Sequence, residues 1–230
     1  MTRKYHRHLY VTLMLAIIMI LIMVPFLRND ERGRFFLSLL FLLVILGALK
    51  ILASSRRIFW VGVILGLGAG LCGPLLPLMT NLSPAAWSAV KYSLMGAYVA
   101  FFTLVIYVLL KSIFTGCRVT GDKIYAAISG YLLLGIFWAL IYAIVEDLDP
   151  TSFGRVMPQW GGSFSELLYF SFTTLTTLGY GDIGPQTALS QTLSYMEAIS
   201  GQLFVAILIA RLVGMNIAQM THTPPPAQEE

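Results

Sequence analysis

Charge is scarce in this sequence. Asp, Glu, Lys and Arg make up 11% of its 230 residues, whereas hydrophobic residues make up 57%. A soluble domain of this size could not bury the long apolar runs that result. About 20 consecutive apolar residues are enough to cross a bilayer core, and we count six such runs. The composition therefore predicts a multi-pass protein of the lipid bilayer.

Several kinds of functional motif are also missing. There are only two cysteines, one in an apolar run and one in a basic connector, so a disulfide is not expected. No basic cluster is interleaved with aromatic residues, which argues against nucleic-acid binding. The three histidines lie in the two tails, and there is no His/Cys/carboxylate cluster, nucleophile motif or phosphate loop. We therefore expect neither a membrane enzyme nor a bound cofactor.

The six apolar runs predict transmembrane helices. The first is long for a signal peptide, and its VPF sequence at 24–26 is a poor cleavage site, so we interpret it as a retained helix. The third carries Gly62, Gly66 and Gly70 at four-residue spacing, a pattern that lets helix backbones approach closely. The predicted spans are residues 9–27, 35–53, 58–79, 84–110, 122–145 and 188–215.

The connection between the last two spans carries the most specific pattern. Residues 163–176 are too few to cross a membrane, and Ser163-x-x-Glu166 at their start is typical of a helix capping box. Residues 176–182 then read TTLGYGD. Glycine adopts positive φ without steric cost, so consecutive carbonyls of such a segment can face one axis and replace water around a cation. A GYGD sequence alone is an ordinary turn, but its position between two spans is specific.

Residues 177–181 resemble the selectivity filter of tetrameric potassium channels, whose TVGYG form uses backbone carbonyls. We call these residues the filter segment. Leu178 stands where valine is commoner, which changes the branching of an apolar packing residue and removes no carbonyl. The resemblance is to the bacterial six-span type without an arginine-rich voltage-sensing helix. It implies an all-α membrane protein with six transmembrane helices, and a re-entrant pore helix and an extended filter between the fifth and sixth.

This resemblance covers about residues 122–214 and implies a division of the chain into three parts. Residues 1–115 hold four transmembrane helices, and residues 216–230 form a disordered cytoplasmic tail. Residues 116–215 form the pore domain, made of an outer helix at 122–145, a pore helix at 163–176, the filter at 177–181 and an inner helix at 188–215. One chain supplies one filter strand, so a closed ring needs several copies, and the family implies a homotetramer.

The resemblance also implies a role for each residue of the filter and its supports. Carbonyls of the filter bind K⁺, the Thr177 hydroxyl completes the innermost site, and the Tyr180 ring packs on the pore helix as a spacer. Asp182 at the outer mouth hydrogen-bonds Tyr169 on the pore helix, and Thr173 stands where some members have a glutamate. The ion-binding residues are Thr177, Leu178, Gly179, Tyr180 and Gly181; the supporting residues are Thr176, Asp182, Tyr169 and Thr173.

Two residues of the sixth span are gating candidates. Gly201 lies twenty residues after Gly181, where the family has a hinge glycine, although close helix packing explains it equally well. Glu197 is the only acid of this span, and a carboxylate at membrane depth is costly. It either lines the cavity, braces the filter or bonds to a neighbouring helix; Gln202 has the same alternatives. Near the outer mouth, Glu146, Asp147 and Asp149 either concentrate cations or form a solvated loop.

The distribution of basic residues predicts orientation and gating. The fourth span has only Lys91 near its start rather than basic residues at every third position, so we expect no steep voltage dependence. Basic residues favour cytoplasmic placement of both termini, although the RNDERGR turn at 28–34 is unfavourable in its outer position. We place the protein in the plasma (cell inner) membrane.

The predicted function is a potassium-selective channel that conducts K⁺ passively through a homotetramer. K⁺ is the only ligand expected. One alternative is a cation transporter subunit with a filter-like loop, but such relatives carry several degenerate copies of the loop in one chain. The other alternative is a non-conducting regulatory partner built on a pore fold.

Overall fold

The computed structural model describes residues 2–27, 31–52, 56–75, 83–115, 120–156 and 164–221. Within these ranges the regular secondary structure is helical apart from two short strands, which the sequence did not predict. The helices are α1 (Thr2–Leu27), α2 (Glu31–Leu52), α3 (Arg56–Leu75), α4 (Pro84–Phe114), α5 (Gly121–Leu148), α6 (Phe164–Leu175) and α7 (Ala188–Thr221); the strands are β1 (Phe153–Arg155) and β2 (Ile183–Pro185).

Several helix ends differ from those expected. Helix α2 begins at Glu31, so residues 31–34 of the predicted turn are helical, while residues 28–30 lie outside the described residues. Helix α7 continues to Thr221, so residues 216–221 are helical rather than part of a disordered tail. Residues 222–230, residues 76–79 of the predicted third span and Ser163 of the predicted capping box also lie outside the described residues.

Four helices in the described part of the chain are long and apolar enough to cross a membrane. Their membrane-length segments are residues 9–26 of α1, 85–114 of α4, 121–148 of α5 and 188–217 of α7. Helix α2 contributes a shorter apolar segment at Phe41–Leu52. The chain is therefore a multi-pass membrane protein, and the second and third of the six predicted spans remain predictions.

Of the N-terminal helices, α1 and α4 pack directly on α5. A continuous apolar core joins α1, α2, α4 and α5, and its fully buried side chains include Ile17, Ile45, Phe101 and Leu133. Close packing of this kind leaves little room for sliding. Helix α4 is also tied to α5 by polar contacts, because both Lys91 and Tyr92 donate to the Asp147 carboxylate.

Two glycines of α3, Gly62 and Gly66, lie close to side chains of neighbouring helices. A Cβ at Gly62 would lie 2.4 Å from a methyl of Leu52, and a Cβ at Gly66 would lie 2.9 Å from a methyl of Ile45 and 3.2 Å from the Phe101 ring. The prediction of close helix packing is thus confirmed at Gly62 and Gly66. The side-chain surroundings of Gly70 lie outside the described residues.

We expect Gly66→Ala to lower the free energy of unfolding by about 1–2 kcal/mol, because the added methyl overfills a packed core. Gly96→Ala is the matched control, since no heavy atom lies within 4 Å of a Cβ built at Gly96. The control should be neutral or stabilising by up to about 1 kcal/mol, because alanine favours helix more than glycine does. Thermal unfolding in detergent measures the change in stability of both variants. Equal losses in the two variants would contradict this account of α3.

Candidate functional site

The chain turns sharply where α6 ends. The amide of Thr177 donates to the carbonyl of Thr174 at 2.9 Å, which closes the last turn. The next two amides, of Leu178 and Gly179, both donate to the carbonyl of Thr173, at 2.8 and 3.1 Å. The C-terminal end of α6 therefore holds the start of the filter segment through backbone hydrogen bonds.

The backbone of the filter segment alternates in the sign of φ. Thr177, Gly179 and Gly181 have φ of +59°, +56° and +79°, and the two residues between them do not have positive φ. Positive φ is rare for a β-branched residue such as threonine. Alternation of hand along a chain directs successive amides to one side, as in anion-binding nests. The same alternation lets the carbonyls face one side, as a cation site built from backbone oxygens requires.

The carbonyl oxygens of the filter segment are left available. None of the hydrogen bonds between described residues ends on a carbonyl oxygen of residues 177–180. These residues are also exposed in the single chain, Leu178 by 57% and Tyr180 by 67%. Backbone carbonyls are strong acceptors that almost always find a partner. The segment therefore presents a row of oxygens that an outside partner, such as a hydrated or dehydrated cation, can bind.

Contacts with α6 fix the outer end of this segment. Tyr169 of α6 donates to the Asp182 carboxylate at 2.8 Å, the hydrogen bond that the sequence predicts. The ring of Tyr180 stacks on that of Tyr169, with centroids 6.3 Å apart and planes 5° apart. Thr173, at the position of a glutamate in some potassium channels, turns its hydroxyl to the carbonyl of Phe170.

The two strands join the chain before α6 to the chain after the filter segment. Strands β1 and β2 are antiparallel, with Gly154 opposite Gly184, and the amide of Val156 donates to the carbonyl of Asp182 at 2.9 Å. The segment is thus held by α6 at one end and by a sheet at the other. Sequence analysis missed this sheet, because strands of three residues show no alternation of polar and apolar side chains.

An ion network braces the start of α6. Arg155 of β1 contacts the carboxylate of Glu146 at the end of α5 and that of Glu166 in the first turn of α6, the latter at 3.1 Å. All three side chains are largely buried, at 12%, 12% and 5% exposure. Glu166, predicted as half of a capping box, is therefore a partner of Arg155.

The other acidic residues near this end are engaged locally as well. Asp147 is paired with Lys91 of α4. The Asp149 carboxylate accepts hydrogen bonds from the hydroxyl and the amide of Thr151, at 2.6 and 3.0 Å, which lowers the pKa of Asp149 below its ordinary value. Each of these carboxylates therefore has a structural partner, and this partner explains why an acidic residue stands there without a role in concentrating cations.

Glu197 lies behind α6 and is fully buried. Its carboxylate accepts hydrogen bonds from the hydroxyls of Tyr142 on α5 and Ser171 on α6. Ser171 is also placed 2.7 Å from the carbonyl of Gly135 on α5. The sequence leaves three roles open for Glu197: lining the cavity, bracing the filter or bonding to a neighbouring helix. These contacts match the third.

Gly201 marks the closest approach of α7 to α6. A Cβ built there would lie 2.3 Å from the carbonyl oxygen of Leu175. This distance favours close packing as the reason for glycine at this position. Gln202, the next residue, donates to the hydroxyl of Thr177 at 3.3 Å, a contact that sequence analysis missed.

Comparison with known proteins identifies the part of the chain that contains this site. A family profile described as ion channel matches residues 127–217, from α5 to α7. Residues 127–217 belong to this ion-channel family. The ion-channel region contains the whole filter segment and all the contacts of Glu197 and Gly201, whereas α1 to α4 lie outside it.

Individual relatives match about a third of the chain at low identity. The inward rectifier potassium channel Kirbac3.1 of Paramagnetospirillum magnetotacticum is 32% identical over 81 residues, which are 34% of this chain and 24% of that protein. Two pore potassium channel a of Oryza sativa subsp. japonica is 28% identical over 82 residues, 36% of this chain and 21% of that protein. No solved structure matches the chain. The chain thus spans about a quarter of the length of these relatives.

We expect Arg155→Met to lower the free energy of unfolding by about 3–5 kcal/mol, because it leaves two buried carboxylates without their cation. Adding Glu166→Gln should recover part of this loss. Lys91→Met is the control: its ion pair is more exposed, at 24% and 29%, and should contribute about 0–1 kcal/mol. Thermal unfolding of the three variants and the wild type tests this, and a loss no larger in Arg155→Met than in Lys91→Met would contradict it.

Gly201→Ala should destabilise the protein by about 1–3 kcal/mol, because the methyl overlaps a backbone oxygen that cannot rotate away. Gly214→Ala, in the same helix, has no heavy atom within 4 Å of the new Cβ and should be neutral or slightly stabilising. Unfolding temperatures in detergent distinguish the two. A hinge role without tight packing would instead leave Gly201→Ala as stable as Gly214→Ala.

Proposed function

We propose that the chain forms a potassium-selective channel in which four copies surround one conduction path. The observation that carries this proposal is the row of carbonyl oxygens at residues 177–180. These oxygens accept no hydrogen bond from the described residues, and the backbone that carries them alternates in the sign of φ. Such oxygens take the place of water around a dehydrated K⁺. The named relatives are potassium channels, which supports K⁺ as the permeant ion.

The proposal of several copies follows from the exposure of the filter segment. Its backbone is non-helical, and non-helical backbone at membrane depth is tolerated only where protein or water surrounds it. In the single chain, residues 176–181 are exposed, so other copies must shield them from lipid. A ring of identical chains places the same oxygens around a common axis, and four is the number that the resemblance implies.

In the proposed topology the chain crosses the membrane six times, with both termini in the cytoplasm of a plasma (cell inner) membrane. Helix α6 enters only part of the bilayer, because its 12 residues are too few to span it. The four helices of membrane length, α1, α4, α5 and α7, are four of the proposed spans, and α2 and α3 are the other two. Residues 116–215 then act as the pore domain.

The proposed channel is not steeply gated by voltage. Helix α4 carries only Lys91 and Lys111 as basic residues, and Lys91 is paired with Asp147 of α5. A voltage sensor needs several charges that move across the membrane field, each contributing about 2.3 kcal/mol per 100 mV. One paired lysine near one end of α4 and another near the opposite end do not supply such a ladder.

Electrical recording from purified protein in bilayers tests the function. The reversal potential should follow the K⁺ gradient rather than the Na⁺ gradient, in resolvable unitary steps, and native mass spectrometry should give a tetramer. Gly179→Ala should abolish most of this current, because φ of +56° is strained for alanine. Gly184→Ala is the control, since its Cβ would meet no heavy atom within 4 Å and its φ is not positive.

Each other result supports a different function. A current without unitary steps indicates a transporter subunit, and a folded tetramer that carries no current indicates a regulatory partner. Equal permeability to Na⁺ and K⁺ would contradict the potassium-selective channel. Equal currents from Gly179→Ala and Gly184→Ala would contradict the placement of the conduction path at the filter segment.

A further inference from the structure

Glu197 is the only acidic residue of α7, and it is fully buried at a depth where a carboxylate is costly. A buried carboxylate persists when hydrogen-bond donors compensate its lost hydration. Here both donors are hydroxyls from other helices, Tyr142 of α5 and Ser171 of α6. In the part of the chain that the structure describes, no lysine or arginine forms an ion pair with it.

The two donors make Glu197 the point where the outer, pore and inner helices meet. Ser171 lies two residues before Thr173, whose carbonyl holds the amides of Leu178 and Gly179. One turn further along α7, Gly201 contacts the carbonyl of Leu175 at the end of α6. Helix α7 thus touches α6 at two successive turns, once through the hydrogen bond between Glu197 and Ser171 and once through direct backbone packing.

We propose that Glu197 is a positioning residue that couples the inner helix to the filter segment through Ser171. A displacement of α7 at this level either carries α6 with it or breaks the bond between Glu197 and Ser171. Because the carbonyl of Thr173 sets the first turn of the filter segment, a shift of α6 alters the spacing of the carbonyl oxygens. This inference rests on the proposed channel function and extends it from conduction to the control of conduction.

The decisive variant is Ser171→Ala, which removes the bond between Glu197 and α6 and leaves the bond between Glu197 and Tyr142 in place. It also removes the contact of Ser171 with the carbonyl of Gly135 on α5, which a substitution at Glu197 leaves in place. The matched control is Ser129→Ala, because Ser129 is equally buried but donates only within its own helix, to the carbonyl of Tyr125 at 2.8 Å. A hydrogen bond is worth a factor of about two to ten in an equilibrium. We therefore expect Ser171→Ala to shorten the mean open time by a factor of about two to ten and to raise Na⁺ permeability.

Three further variants separate coupling from simple stability. Glu197→Met, which keeps the side-chain length but has no oxygen to accept from Ser171, should produce the same change in open time. The double variant with Ser171→Ala should add little to it, because both remove one shared interaction. Ser171→Thr retains a hydroxyl and should restore most of the wild-type open time. If Ser171→Ala fails to assemble, Glu197→Met supplies the same readout.

The results distinguish this inference from the function on which it rests. If wild-type tetramers conduct K⁺ selectively while Ser171→Ala and Glu197→Met lower only the unfolding temperature, the coupling is refuted and the channel stands. A Ser129→Ala variant with the same shortened openings would also refute it. A wild-type tetramer that carries no current overturns the proposed function and this inference together.

Discussion

The structure depends on one constraint: four successive carbonyls at residues 177–180 must stay without a partner inside the chain and still keep their positions. Most backbone carbonyls are held by the hydrogen bonds of a helix or a sheet, and these accept none from the described residues. Their positions therefore depend on the amide side of the same peptides and on the surroundings. Two amides of the segment donate to the carbonyl of Thr173, and three residues with positive φ set the direction of the chain.

The surroundings act on both ends of the segment. At the inner end, α6 is packed against α5 and α7 so closely that Gly135 and Gly201 leave no space for a side chain. At the outer end, the Asp182 carboxylate accepts from Tyr169 and its carbonyl accepts from the amide of Val156, just after β1. Ion pairs, aromatic stacking and the small sheet therefore all help to fix the distance between the end of α6 and the start of α7.

Local patterns explain what could be predicted from the sequence. Apolar runs indicated the helices, glycine spacing indicated the filter segment, and a family resemblance indicated the hydrogen bond between Tyr169 and Asp182. The sheet could not be predicted, because its strands pair across about 30 positions and are only three residues long. The partners of Glu197 and Arg155 depend on how α5, α6 and α7 are rotated against each other, which apolar spans do not encode. The helical extension of α7 to Thr221 lies beyond its apolar segment.

The position of α1 and α4 limits how the first four helices can influence the site. Both pack on α5 through a continuous apolar core, so they cannot move far without moving α5. Helix α5 in turn contributes Tyr142 and Gly135, the two residues that meet Glu197 and Ser171. A second route is shorter, because Arg211 of α7 donates to the carbonyl of Phe114 at the end of α4. The first four helices are therefore joined to α6 through the contacts of α5, and to α7 directly through Arg211.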